Sequence, residues 1–122
     1  QDGSTLYLAD VGSNNFFFDR PDRVIYKFNI VDGQMQANPD SIVFSFEDYY
    51  HYADISYFDC EAVFYQNESI YLLTKNYYAP TGYSRLYKLN TEDKIQSAVF
   101  LDSLYTEFRV TGADGFIDEI CV

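Results

Sequence analysis

The chain has 122 residues, with 19 Asp and Glu against 8 Lys and Arg, which gives a formal net charge of −11. A surface of that charge repels phosphate backbones, so we expect no nucleic-acid partner, whereas cations or cationic partners would suit it. The sequence has no run of 18 apolar residues, so we expect no transmembrane helix. It also has no basic stretch followed by an apolar one, so we expect no signal peptide in this chain.

Seven short segments rich in β-formers follow one another, separated by residues that favour turns. They cover residues 5–10, 23–30, 41–46, 61–65, 70–75, 85–89 and 97–101. Asp32-Gly33 is typical of a hairpin turn, and residues 66–69 (QNES) form a second polar turn. Residues 47–58 show no clear period and are interpreted as a connecting loop. Because no segment has helical spacing, and aromatic residues favour pleated surfaces, we predict an all-β chain of antiparallel meanders.

Three pairs of segments resemble each other in the same order along the chain. Residues 26–29 (YKFN) match 87–90 (YKLN), residues 6–8 (LYL) match 70–72 (IYL), and residues 43–44 match 99–100 (both VF). Four-stranded antiparallel repeats of this kind are typical of β-propeller blades. We therefore expect most of one blade in 5–46, a complete blade in 59–102 and the start of another in 110–122. This predicts a fragment of a longer propeller, and a compact β-sandwich is the alternative.

Several motifs, taken together, resemble those of one protein family. Residues 8–15 (LADVGSNN) followed by 23–28 (RVIYKF) are similar to a GDxGDN…RxxYRF pattern, and residues 59–63 (DCEAV) are similar to DAEAL. Residues 72–75 (LLTK) and 110–114 (VTGAD) resemble two further motifs, xVVTK and VTGAD. The family is that of bacterial secreted β-propeller proteins, described as gluconolactonase-like or phytase-esterase-like.

The resemblance implies a six- or seven-bladed propeller, a secreted protein that is extracellular or periplasmic, and no settled activity. The remaining blades of the propeller would then be partners of this chain. Two positions depart from the pattern, since Ser13 stands where the family usually has Asp, and Cys60 stands where Ala is common. The first departure removes one potential carboxylate ligand.

Nucleophilic catalysis and zinc binding have little support in the sequence. His51 is the single histidine, and no Gly-x-Ser-x-Gly motif occurs. Cys60 and Cys121 with one distant histidine do not form a standard zinc ligand set. The two cysteines could form a disulfide or remain two buried thiols, and the sequence leaves both possibilities open.

Carboxylates at the ends of predicted strands form the candidate metal site. Asp10, Asp59, Glu61 and Asp114 fall at corresponding positions of the successive copies, where propeller strands converge on the central channel, and Asn14 and Asn15 could add amide oxygens. Oxygen ligands from several blades suit Ca²⁺. On this hypothesis Ca²⁺ would offset the repulsion between the carboxylates, and Glu61→Gln would weaken its binding most. The alternative is structural: Asp10 caps a turn, Asp59 starts a strand, and a nearby Lys or Arg balances Glu61.

Two functions follow from these readings. The first is an extracellular binding or scaffold module whose loop aromatics, Tyr49, Tyr50, Tyr52, Tyr77 and Tyr78, contact a protein or a carbohydrate. The second is a Ca²⁺-dependent lactonase or phosphoesterase that holds its cation with the channel carboxylates. Whether the chain is an enzyme is not decided by the sequence.

Overall fold

The computed structural model describes residues 5–12, 22–49, 58–75, 82–112, 114–116 and 119–121, the last two ranges by their backbone alone. The described residues form ten β-strands and no α-helix. The strands are β1 (Thr5–Asp10), β2 (Asp22–Val31), β3 (Gln34–Met35), β4 (Asp40–Phe46), β5 (Cys60–Gln66), β6 (Ser69–Thr74), β7 (Tyr83–Asn90), β8 (Ile95–Tyr105), β9 (Asp114–Phe116) and β10 (Glu119–Cys121). The all-β prediction is confirmed. Within the described ranges, the structure has no helix that could span a membrane.

Local sequence explains where these strands turn. Asp32 and Gly33, between β2 and β3, both have positive φ (52° and 74°), and so do Asn67 and Glu68 between β5 and β6 (49° and 59°). Two consecutive residues with positive φ are the conformation that tight hairpins prefer, because its twist matches that of the strands. Both turns lie where the sequence predicts them.

The strands form two meanders that join into one sheet. β1, β2 and β4 make the first meander, with β3 on an extension of β2, and β5, β6, β7 and β8 make the second. The two are joined by a parallel pairing of β4 with β8, from Val43 opposite Ile95 to Phe46 opposite Ala98. The resulting sheet is nearly closed and barrel-like, with β1 and β5 at the two ends of the strand order.

The structure extends the sequence prediction in three respects. Each of the seven predicted segments overlaps an observed strand, but β8 is longer than expected and β3 was not predicted. The parallel β4–β8 pairing was not foreseen either, since only antiparallel meanders were expected. Of the predicted loop 47–58, residues 50–57 lie outside the described part of the chain.

The main core lies between the facing surfaces of the two meanders. Phe46 is at its centre, with ring centroids 4.6 Å from Tyr87, 5.3 Å from Phe58 and 5.6 Å from Phe44. A smaller cluster lies on the opposite face of the second meander and comprises Ala62, Phe64, Leu73, Leu86 and Val110. Side chains on both faces of β6 are therefore packed in apolar clusters, which explains the near-continuous burial along this strand.

A charged group enters the main core from the turn after β4. Arg85 donates through Nη2 to Asp48, and Tyr87 donates its hydroxyl to the other oxygen of that carboxylate at 2.8 Å. The Nε of Arg85 also donates to the Tyr87 hydroxyl at 3.0 Å, so each member contacts the other two. Burial, followed by the hydrogen bond to the Asp48 carboxylate, raises the pKa of Tyr87 well above its usual value.

The two meanders share strand registers in part. Leu6 pairs with Phe28 and Leu8 with Tyr26 in the first meander, while Ile70 pairs with Leu89 and Leu72 with Tyr87 in the second. These pairs join the residues that matched in the sequence. The third sequence match, between residues 43–44 and 99–100, does not share a strand register, because Val43 lies opposite Val24 whereas Val99 lies opposite Lys88. A register irregularity between Leu86 and Tyr87 accompanies this difference.

Candidate functional site

Among the described residues, a cavity lies where the barrel-like sheet does not close, between β1 and β5. We call it the β1–β5 cleft; its volume is about 740 Å³, and it is open to solvent. Its walls are Leu6, Tyr7, Ala9, Asp10, Val11 and Gly12 on one side and Cys60, Glu61, Val63, Phe64 and Tyr65 on the other, with Ile70 and Thr111. This is the size range of ligand pockets in proteins.

Three aromatic side chains, Tyr7, Phe64 and Tyr65, line the cleft. Tyr7 and Tyr65 stack across it, with ring centroids 5.6 Å apart and planes inclined by 15°. Phe64 stacks in the same manner on Tyr71, its cross-strand neighbour, at 5.1 Å. The Tyr7–Tyr65 stack links the two ends of the sheet without any backbone pairing between β1 and β5 among the described strands.

A buried arginine fixes one wall of the cleft. Arg23 on β2 is fully buried, and its Nη1 donates to the carbonyl oxygens of Val11 at 2.8 Å and Gly12 at 2.9 Å. Its guanidinium also lies 5.6 Å from the centre of the Phe46 ring. The backbone that follows β1 is therefore held against the core by these hydrogen bonds.

Carboxylates and one lysine form the polar end of the cleft. Asp10 is exposed at the end of β1, Glu61 is partly exposed, and Asp59 is fully buried just before β5. Lys75 places its Nζ 2.9 Å from Glu61 and 3.9 Å from Asp59, and its backbone amide donates to the Asp59 carbonyl at 2.7 Å. The lysine thus offsets the charge of two neighbouring carboxylates that would otherwise repel each other.

The predicted metal ligands are distributed unevenly around this end of the cleft. Asp10 and Glu61 both line the cavity, and Asp59 lies behind Gly12, at whose position an added Cβ would be 3.8 Å from its Oδ1. Asn14 lies outside the described residues, and Asp114 is described by its backbone alone, at the start of β9 beside β5. Within the described ranges, no three His, Cys, Asp or Glu side chains are grouped to hold a metal ion.

No protein-family model matches the chain, and no curated protein or solved structure matches it either.

The structure describes one of the five loop tyrosines that were proposed as contact residues. Tyr49 is buried in the main core, with its ring centroid 5.0 Å from Phe58, so its role as a contact residue was wrongly predicted. Its side chain faces the core instead of solvent. Tyr50, Tyr52, Tyr77 and Tyr78 lie outside the described residues, as does His51.

Sequence reasoning missed the residues that shape the cleft. Tyr7 and Ala9 alternate with Leu8 along β1, so the period of two places both on the face that meets the second meander. The same alternation places Val63 and Tyr65 on the facing side of β5. This signal was present in the sequence, but the meeting of β1 with β5 depends on the parallel β4–β8 junction.

Cys60 is a buried free thiol at the base of the cleft wall, and its reactivity can be predicted. Burial raises its pKa from 9.0 to about 12, so the nucleophilic thiolate is scarce at neutral pH. We expect the folded protein to react with a thiol reagent at pH 8 much more slowly at Cys60 than the urea-unfolded protein does. Peptide mapping of the labelled sites distinguishes Cys60 from Cys121.

The raised pKa of Cys60 also makes the stability of the folded protein depend on pH. Because the thiol of the unfolded chain ionises near 9 while the folded thiol stays protonated, the unfolded state binds fewer protons above that pH. The contribution of Cys60 to the unfolding free energy is complete below pH 9 and declines from pH 9 towards 12. In Cys60→Ala this component of the alkaline decline should be absent, and an unchanged alkaline profile would contradict it.

Proposed function

We propose that the chain is a binding and scaffold module and that the β1–β5 cleft is its ligand site. The observation that carries this proposal is the cleft itself: an open cavity of about 740 Å³ with stacked aromatic rings on its walls and carboxylates at one end. Apolar and aromatic walls with a few polar groups are typical of ligand sites. The buried Arg23 holds one wall in place, so little ordering accompanies binding.

We further propose that the two meanders are successive repeats of a β-propeller-type architecture. The shared registers of β1 with β2 and of β6 with β7 support this, and so does the packing of one meander face to face on the other. On this proposal the first meander has three strands of the repeat and the second has all four. The resemblance to secreted bacterial propellers, and with it an extracellular or periplasmic location, belongs to the same proposal.

The chemistry of the cleft favours a protein or carbohydrate ligand. Tyr and Phe faces pack against apolar side chains or against the C–H faces of sugars. Asp10 and Glu61 accept hydrogen bonds, and the formal net charge of −11 attracts basic ligands.

A calcium-dependent hydrolase is the second candidate, because Asp10 and Glu61 share the cavity. A bound cation was expected because clustered carboxylates repel each other, but Lys75 already offsets that repulsion at Glu61 and Asp59. The binding module therefore accounts for the arrangement with the residues at hand, and we favour it.

Titration of the isotope-labelled chain with a panel of oligosaccharides and short peptides tests the proposal. We expect at least one ligand class to shift the amide resonances of Tyr7, Glu61 and Tyr65 together, and Tyr65→Ala to weaken that ligand about tenfold. Tyr105→Ala, an exposed tyrosine on β8, is the matched control and should leave affinity unchanged. Shifts confined to other surfaces, or none, would overturn the assignment of the cleft.

Calorimetry with Ca²⁺ separates the two candidates. The binding module should bind its ligand equally well with Ca²⁺ or with a chelator. A Ca²⁺ site that Glu61→Gln weakens, together with hydrolysis of a lactone or phosphoester that the chelator stops, would favour the hydrolase instead.

A further inference from the structure

The geometry points to one class of ligand for the β1–β5 cleft: an extended polypeptide segment from a partner protein that adds to β1 as an antiparallel strand. This inference rests on the proposed function, and it names the occupant. Among the described strands, β1 has a neighbour on one side only, which is β2, and the cleft runs along its other side. Strand addition to such an edge is an established mode of peptide recognition.

The second meander provides a template for the bound strand. β1 pairs with β2 in the register in which β6 pairs with β7, and in the second meander β5 covers the outer side of β6. A strand on β1 would therefore take the place relative to β1 that β5 takes relative to β6.

The exposure of side chains on β1 and β6 supports the comparison between the two meanders. Ala9 on β1, which lines the cleft, is only partly buried, whereas its counterpart Leu73 on β6 is fully buried. Asp10 is exposed, whereas its counterpart Thr74 is buried. A covering strand and its own packing partners are what distinguish β6 from β1, so β1 has apolar surface that a bound strand could cover.

The cross-strand neighbours of β6 predict the side chains of the bound strand. Phe64 stacks on Tyr71, the counterpart of Tyr7, so an aromatic residue is expected opposite Tyr7. Ala62 lies opposite Leu73, the counterpart of Ala9. Since alanine is smaller than leucine, the bound strand has room for a larger apolar residue opposite Ala9.

The carboxylate of Asp10 predicts one more residue of the bound strand. Cys60 lies opposite Thr74, and the counterpart of Thr74 on β1 is the carboxylate of Asp10. A basic residue opposite Asp10 is favoured by that charge and by the net charge of the chain. The partner segment therefore carries, in order, a basic residue, a large apolar residue and an aromatic residue, with the last two on one face of the strand.

Synthetic peptides copied from residues 58–67 test this inference on the intact chain. The first, the alanine peptide, carries Cys60→Lys and keeps Ala62; the second, the leucine peptide, carries Ala62→Leu in addition. We expect the leucine peptide to bind about tenfold more tightly, because its extra methylene groups become buried. A third peptide that adds Phe64→Asp to the leucine peptide should not bind measurably. Amide hydrogen exchange should slow along β1 on binding.

Three variants of the chain give tests and a control that a change in stability alone cannot imitate. In Ala9→Leu the space opposite residue 9 is filled, so the leucine peptide should lose its advantage and the alanine peptide should bind at least as tightly. Tyr7→Ala should weaken the leucine peptide about tenfold, whereas Tyr83→Ala, on an exposed tyrosine of β7, should not.

The outcomes separate this inference from the proposed function. Protection along β5 in place of β1, equal affinity for all three peptides, or self-association of the chain that blocks the cleft would overturn strand addition. If the peptides fail while an oligosaccharide or another peptide shifts the cleft resonances, strand addition alone is wrong. If no ligand shifts them, the proposed function fails as well.

Discussion

Asp48→Ala should lower the unfolding free energy by about 3–5 kcal/mol, which is the usual cost of removing one partner from a buried ion pair. The substitution leaves the guanidinium of Arg85 and the hydroxyl of Tyr87 in the core without the carboxylate that both contact. Arg85 also packs on the Phe100 ring, with its Cζ 4.7 Å from the centroid, so it cannot leave the core without further loss. Urea unfolding followed by circular dichroism measures the difference.

The chain contains a matched control for this measurement. Asp40 forms an ion pair with Lys94 at 3.6 Å, and both side chains are largely exposed. Asp40→Ala should cost less than about 1 kcal/mol, because water screens such pairs. Equal midpoints for the two variants would contradict the importance of the Asp48 group. Asp48→Ala combined with Arg85→Met should recover part of the loss, since the uncompensated charge is then absent.

Phe46→Ala should destabilise the protein by about 3–5 kcal/mol, the range found for truncating a large core side chain. Phe46 is buried, contacts Phe44, Phe58 and Tyr87, and lies opposite Ala98 in the β4–β8 pairing. Removing its ring therefore opens a cavity where the two meanders join. Chemical unfolding of the variant and of the unaltered chain measures the loss.

Phe108→Ala is the control for the aromatic truncation, because Phe108 is 56% exposed. Its loss should be below about 1 kcal/mol. Phe46→Leu should fall between the two, since leucine refills part of the space. If Phe46→Ala and Phe108→Ala unfold at the same urea concentration, the core does not depend on Phe46 as described.

Local patterns in the sequence were sufficient to predict the positions of seven of the described strands, but not β3. Asp32-Gly33 marks a turn because glycine and aspartate tolerate positive φ, and both residues adopt it. The alternation along β4 likewise predicts its buried face. The parallel junction could not be predicted in this way, because it pairs Val43 with Ile95 through contacts that no local pattern encodes.

The candidate site was predictable only in its acidic part. Carboxylates at strand ends drew attention to Asp10 and Glu61, and both line the cleft. Its aromatic walls depend on Tyr7 meeting Tyr65, which requires knowledge of how the two meanders pack. Lys75 was anticipated only in general terms, as some cation balancing Glu61, since a strand-end lysine is common and its direction is set by the fold.

The parallel β4–β8 junction also bears on the order in which the protein folds. Within each meander, paired strands follow one another along the chain, so they can pair soon after collapse begins. The junction instead joins β4 to the start of β8 across β5, β6 and β7, and the entropy of closing that long loop delays it. An early species with two formed meanders and an open junction would expose Phe44 and Phe46, two core aromatics, to other chains in the same state. Refolding yield should therefore fall as protein concentration rises, even though the native protein covers both side chains.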